Sequence, residues 1–148
     1  MCIRDRLRTI YHYVNPKTGQ VADESDAESF IQEAINCVKE RMDDYDTVLV
    51  TTQNQPYIDA FVKEFGDRCV YTDRPRFEDF NDWRGIGKDT YELSDEEYEK
   101  EVKNCLLDVI LTSKADHILG TCSNMFLGAL SVNKSNTYEL ISSNFWGA

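Results

Sequence analysis

Residues 104–130, NCLLDVILTSKADHILGTCSNMFLGAL, decide the fold, because a helix, a short strand and a second helix follow one another within them. Asp116–Gly120 (DHILG) has the length and apolar character of a buried strand. Ser123–Val132 is apolar over the length of a helix. Alternation of this kind predicts a parallel sheet with helices on its faces.

The same alternation continues on both sides of this stretch, with local signals at the ends of the elements. Capping boxes mark two helix starts, and a proline and a glycine bracket a third helix. The further predicted elements are a helix after Ser25–Glu28, a strand at Thr47–Thr52, a helix from Pro56 to Gly66, a strand at Arg68–Thr72, a helix from Ser94–Glu97 to about Lys114, and a strand at Thr137–Ser142.

Composition limits the classes of partner. The chain has 148 residues, 41% of them hydrophobic, which suits one domain with a core. Its net charge of -11 argues against nucleic acid and against an anionic membrane surface. No apolar run reaches the length of about eighteen residues that a membrane span needs. Five scattered cysteines and two histidines without metal-ligand spacing predict no metal site.

Residues 1–12 are interpreted as a non-native or truncated leader, and residues 13–148 as a single domain. Met1–Arg6 (MCIRDR) looks like translated adapter sequence, and no apolar signal-peptide segment follows it. We therefore predict that the native amino terminus is missing.

The first candidate ligand site is the turn from Gly120 into the following helix. A helix amino terminus presents unpaired N–H groups and a partial positive charge, and Ser123 and Asn124 would add a hydroxyl and an amide to an anion bound there. The alternative is that Ser123 is only an N-cap. No GxGxxG motif is present, so a dinucleotide site is not supported.

Asp108 and Thr52 are two further candidates. Asp108 lies within the apolar run LLDVIL, where a buried carboxylate needs donors that a ligand could supply. Thr52 ends a predicted strand, at the edge where open α/β sheets bind ligands. The alternatives are a polar turn at Thr52 and, for Asp108, a solvent-facing helix stripe formed by Glu97, Glu101, Asn104, Asp108 and Thr112.

Arginines in a long loop, Asp73–Thr90, are candidate phosphate or acceptor contacts. Arg74, Arg76 and Arg84 could each bind an anion through a guanidinium fork. The alternative is self-neutralisation within the loop by its own acids, Asp73, Glu78, Asp79 and Asp82.

The motifs together resemble a known family. TVLVTTQN, PYIDAFVKEFG and the 104–130 stretch are similar to the C-terminal half of the fucosyltransferases, in particular the α-1,6- and nodulation fucosyltransferases and their protein O-fucosyltransferase relatives. LTSKADHILGTCSN at 111–124 corresponds to that family's L-S-x-A-D-x-x-I-G-x-x-S-S/N. The resemblance implies a Rossmann-like parallel sheet with helices on both faces, forming one half of a GT-B-like fold.

The resemblance also implies roles for individual residues. The family's guanine-binding aspartate falls on Asp108, and its Ser/Asn pair near the diphosphate falls on Ser123 and Asn124. Its A-T-D-D/E strand end falls on 51–54, where Thr52 is kept and Gln and Asn replace the acids. Its His-x-Arg motif meets His12-Tyr13-Val14, with valine in place of the catalytic arginine, so no catalytic residue is assigned.

The expected function is a glycosyltransferase fragment that binds GDP-fucose or a related nucleotide sugar for transfer to a glycan or protein acceptor, without a metal or other cofactor. Two alternatives stay open: a non-catalytic binding module that has lost the arginine motif, and a transferase using another nucleotide sugar such as a UDP-sugar. The resemblance places bacterial relatives in the cytoplasm and eukaryotic ones in the Golgi or endoplasmic reticulum lumen.

Overall fold

The computed structural model describes residues 2–4, 24–76, 94–120 and 124–141. Within these ranges the chain is a mixed α/β structure, as the alternation predicts. No helix among the described residues is both long and apolar enough to cross a membrane. The elements are β1 (Cys2–Arg4), α1 (Glu24–Lys39), β2 (Val48–Thr51), α2 (Gln55–Phe65), β3 (Cys69–Tyr71), α3 (Asp95–Ser113), β4 (His117–Gly120), α4 (Asn124–Val132) and β5 (Thr137–Leu140).

All strand pairs are parallel. β2 pairs with β3, β4 pairs with β5, and β1 lies between the two pairs in the order β3-β2-β1-β4-β5. The sequence-based prediction lacks β1, which falls inside the segment interpreted as a leader. Its pairing uses main-chain atoms, which every sequence supplies. The origin of that segment therefore stays a prediction.

Two apolar clusters lie on opposite sides of β4. Ile118 packs with Phe126 and Ala129 of α4, whereas its neighbour Leu119 belongs to a cluster built mainly by α1, β2 and α2. Successive strand residues point to opposite faces of a sheet. The strand is therefore covered on both faces, which explains why its sequence is continuously apolar rather than alternating.

Two predicted signals at helix ends are found in the structure. Ser94 and Glu97 form the predicted capping box, and Gly66 ends α2 with a φ of 54°, a conformation that glycine adopts without strain. Two helices begin one residue before their predicted starts: α2 begins at Gln55, and α1 begins at Glu24, so Ser25 lies in its first turn and is not the N-cap. A shift of one residue is within the usual uncertainty of helix ends.

Helix α3 faces the rest of the molecule with polar residues. Asp108, Thr112 and Ser113 are its buried residues, so the prediction of a solvent-facing polar stripe through Asp108 and Thr112 is wrong. Its large exposed apolar residues are Tyr98, Val102, Leu106, Leu107 and Ile110. The periodic apolar residues of this helix therefore do not mark its buried face. Its contact with α4 runs instead through Val109, which packs beside Phe126.

The carboxyl end of α3 is held by the segment that leads into β5. Asn136 donates its side-chain amide to the carbonyl oxygens of Ser113 (3.1 Å) and Ala115 (2.7 Å), and Asn133 donates to Ser113 as well (3.0 Å). These bonds satisfy carbonyl groups that a helix end leaves without intrahelical partners. They hold the carboxyl end of α3 against the segment before β5.

Candidate functional site

Buried polar residues collect at one edge of the sheet. Thr51 ends β2 and Thr52 and Asn54 follow it, while Thr72 and Arg74 follow β3. Of these five, all but the half-buried Thr72 are fully buried. Because β2 and β3 are parallel, both groups lie at the carboxyl ends of the strands, where open α/β sheets bind ligands.

The Asp108 carboxylate lies within this edge and is already bound by two donors. Arg74 donates from Nη1 to Oδ2 at 2.7 Å, and Thr72 donates its hydroxyl to Oδ1 at 3.1 Å. The side chains of Arg74 and Asp108 are only 3% and 5% exposed. The structure thus gives Asp108 the donors that a buried carboxylate needs, and takes them from the chain itself.

Arg74 bridges two carboxylates of α3. Its Nη2 donates to Glu101, two helical turns before Asp108. Burial acts to lower the pKa of Arg74, but Glu101 and Asp108 outweigh it, and the pKa is raised. Arg74 is thus neutralised by two carboxylates of α3, whereas the alternative named acids within its own loop.

Sequence reasoning did not connect Glu101 with Arg74. The seven-residue spacing between Glu101 and Asp108 places two carboxylates on one face of a helix, which is the signal that could have found the pair. The arginine that meets them is distant in sequence, and no local pattern identifies it.

Arg76 is bonded differently from Arg74. In the part of the chain that the structure describes, its guanidinium donates to the carbonyl oxygens of Arg74 (3.2 Å) and Thr72, and its Cζ lies 5.3 Å from the centre of the Tyr71 ring. Burial, followed by the charge of Arg74, lowers the pKa of Arg76. A half-buried cation bonded to neutral oxygens can accept an anion as an additional partner.

The structure describes the other candidate residues only in part. The Thr52 hydroxyl accepts the Asn54 backbone N–H at 3.2 Å within its own turn, as in the polar-turn alternative. Asn124 is the first residue of α4, the helix that follows β4 in the chain. Ser123, Arg84 and the side chain of Asn124 lie outside the described residues. Their roles, and that of Thr52 toward a ligand, stay predictions.

A second polar cluster lies at the opposite edge of the sheet, where β4 and β5 begin. His117 Nδ1 is 2.7 Å from the Thr137 hydroxyl, which itself donates to the Asp116 carbonyl oxygen. Nδ1 must therefore carry the proton, and Nε2 is buried with no partner among the described atoms. Protonation of Nε2 would bury an N–H without an acceptor. Burial, and then Arg41, accordingly lower the pKa of His117.

We expect His117 to make stability depend on pH. Because the pKa of the folded state lies below the unfolded value of 6.5, the contribution of His117 is complete above that value and is lost as pH falls through the folded pKa. The wild type should therefore lose stability relative to His117→Gln between about pH 7 and about pH 5. Urea unfolding across this range measures the difference. A constant difference between the two proteins would show that His117 is not held neutral.

Thiol and metal chemistry receive little support from the geometry. Burial raises the pKa of Cys69 to about 11 and also raises the pKa of Cys37 and Cys105, so these thiols stay protonated at neutral pH. Among the described residues, no three His, Cys, Asp or Glu side chains group as metal ligands.

Comparisons with family models, with curated proteins and with solved structures found no match.

Proposed function

We propose that this chain is the nucleotide-sugar-binding half of a glycosyltransferase, with GDP-fucose as the donor that best fits its residues. The observation that carries the proposal is the Asp108 carboxylate, buried beside the carboxyl end of β3 with a donor on each oxygen. Guanine offers a carboxylate two N–H donors from one edge. A nucleoside base with a single N–H donor on that edge could bond only one oxygen of Asp108.

The strand order supports a Rossmann-like assignment. In the order β3-β2-β1-β4-β5 the chain direction across the sheet reverses between β1 and β4, which is where a doubly wound sheet would have its switch point. Ligands of such sheets lie outside the carboxyl ends of the strands at that point. Asn124 is the first residue of α4, the helix that follows β4 in the chain, and this order supports diphosphate contacts beside that crevice.

Arg76 supports a role in phosphate binding. Its described hydrogen bonds go only to carbonyl oxygens, so its charge is not matched by a bonded carboxylate among the described residues. Together with the N–H groups that open α4, and with Ser123 and Asn124 as predicted from the sequence, it would hold the diphosphate. Arg74 is the less suitable phosphate contact, since Glu101 and Asp108 already share its charge.

The chemistry proposed for the complete protein is transfer of the sugar to a glycan or protein acceptor. Transfer requires stabilisation of the negative charge that develops on the leaving diphosphate. The family's arginine for this task is replaced by Val14 in the only matching position. We therefore expect this chain alone to bind the nucleotide with little or no sugar transfer.

Calorimetric titration with GDP, UDP and ADP tests the proposal. The wild type should bind GDP more tightly than UDP or ADP, and Asp108→Asn should weaken GDP binding by about tenfold or more, because the amide cannot accept both guanine N–H groups. Asp59→Asn is the matched control, since Asp59 is an exposed carboxylate on α2 whose described hydrogen bond comes from Gln55.

Three outcomes would contradict the proposal. Equal GDP affinity of the wild type and Asp108→Asn would remove Asp108 from the site. A preference for UDP would favour a different nucleotide-sugar transferase. Absence of all nucleotide binding in a folded protein would favour the non-catalytic module. Circular dichroism of each variant establishes that the compared proteins are folded.

A further inference from the structure

Each oxygen of the Asp108 carboxylate already has a donor from the chain itself. Arg74 binds one oxygen and Thr72 the other, and the side chains of Arg74 and Asp108 are almost completely buried. Because the carboxylate is buried beneath these donors, a base approaching from solvent reaches it only when one of them moves away. The donor that leaves determines how strongly, and how selectively, a nucleotide binds.

Arg74 and guanine present the same kind of donor to a carboxylate. The guanine edge carries N1–H and N2–H on nitrogens joined through one carbon, and an arginine guanidinium carries its N–H groups in the same N–C–N arrangement. Both can donate two hydrogen bonds from one planar fork, and Arg74 here gives one N–H to Asp108 and another to Glu101. Thr72 offers only a single hydroxyl, so it resembles the base less closely.

We propose, on the basis of the function proposed above, that Arg74 is an internal substitute for guanine that a guanine nucleotide displaces from Asp108. In the nucleotide-free protein its guanidinium satisfies the carboxylate. When the base binds, the guanine edge replaces Arg74 on Asp108. The exchange conserves donors to the carboxylate, so the buried negative charge has hydrogen bonds at the beginning and at the end.

Glu101 lowers the free-energy cost of this exchange. It accepts the second nitrogen of Arg74 from a position two turns along α3, and its side chain is 24% exposed. After leaving Asp108, Arg74 can keep Glu101 as its carboxylate partner and is not left as an unpaired buried cation. Without the charge of Glu101, Asp108 would be the one carboxylate left to pair with Arg74. Displacing Arg74 from Asp108 would then become harder.

The apparent affinity of the site is therefore its intrinsic affinity multiplied by the fraction of molecules in which Arg74 has left Asp108. Arg74 lowers the apparent affinity because it keeps this fraction small. Two substitutions should change this fraction in opposite directions. Arg74→Lys keeps the positive charge, but a compact ammonium cannot bridge two carboxylates with a fixed fork. Glu101→Gln keeps the shape of the side chain and removes the partner that receives the displaced arginine.

Titration with guanosine tests the exchange, because guanosine lacks phosphate and reports on the base alone. We expect Arg74→Lys to bind guanosine about three- to tenfold more tightly than the wild type, and Glu101→Gln to bind it more weakly by a similar factor. Arg41→Lys is the matched control, since Arg41 also pairs with a carboxylate, Glu139, but at the opposite edge of the sheet. Its guanosine affinity should equal that of the wild type.

The outcomes separate this exchange from the proposed function. Guanosine binding that is equal in the wild type, Arg74→Lys and Glu101→Gln would overturn the displacement of Arg74 alone. No guanosine or GDP binding by any folded protein would overturn the proposed function, and the displacement with it. If Arg74→Lys does not fold, Glu101→Gln decides: weaker binding supports the exchange, and unchanged or tighter binding contradicts it.

Discussion

Replacing Arg74 with methionine is expected to lower the free energy of unfolding by about 3–5 kcal/mol, among the largest effects of any single substitution in this chain. The substitution leaves Asp108 buried without its ionic partner, and Glu101 loses the same cation. The cost comes mainly from the uncompensated buried charge and only partly from the lost attraction. Urea unfolding at neutral pH measures it.

Lys103→Met on α3, the helix that carries Glu101 and Asp108, is the control for this prediction. Lys103 pairs with Glu99 at 2.6 Å, but both side chains are about two-thirds exposed (70% and 67%). Such pairs contribute less than about 1 kcal/mol. Similar losses for Arg74→Met and Lys103→Met would mean that the Arg74 pair is accessible to water.

Phe126→Ala should lower the free energy of unfolding by about 3–5 kcal/mol, the usual cost of removing a buried aromatic ring. Phe126 packs with Ile118 of β4 and meets the Tyr138 ring edge-on at 5.8 Å. It thus attaches α4 to two strands. Its loss would also loosen the start of α4, where the predicted diphosphate contacts lie. Thermal and urea unfolding measure the effect.

The neighbouring residue supplies the control for Phe126. Leu127 is 50% exposed on the same helix, and Leu127→Ala should change stability by about 0.5 kcal/mol or less. Equal losses at the two positions would contradict the orientation of α4. The sequence could not distinguish these two residues, because both lie within 125–130 (MFLGAL), which contains no polar residue.

Much of the fold could be predicted from the sequence because its elements carry local signals. β2 and β4 are short apolar runs between helices, and the capping box at Ser94 and the glycine at position 66 mark helix ends. Such signals act within a few residues and survive in the folded chain. β1 was missed because Cys2–Arg4 has a charged neighbourhood and no periodicity.

The orientation of α3 could not be predicted from the sequence. Its apolar residues recur at helical spacing, and the rule for amphipathic helices places such residues inside. The structure instead buries Asp108 and Thr112 and exposes Leu106 and Ile110. Arg74 favours burial of the polar face of α3, because it reaches the helix from the end of β3 and gives the carboxylates a buried partner.

The candidate site could be predicted only in part, because its contacts join residues that are distant in sequence. Asp108 was selected as a carboxylate in apolar surroundings that requires donors, and the structure does bury it with donors. Which donors these are depends on contacts across 34 and 36 residues, which no sequence spacing encodes.

A double-mutant cycle on Arg74 and Asp108 tests most directly the claim that a buried arginine–aspartate pair organises the carboxyl edge of the sheet. Unfolding free energies are measured for the wild type, Arg74→Met, Asp108→Leu and the double variant. We predict a coupling energy of about 2–3 kcal/mol, with the double variant more stable than the sum of the single losses implies. Additive losses, agreeing within about 0.5 kcal/mol, would contradict the pair.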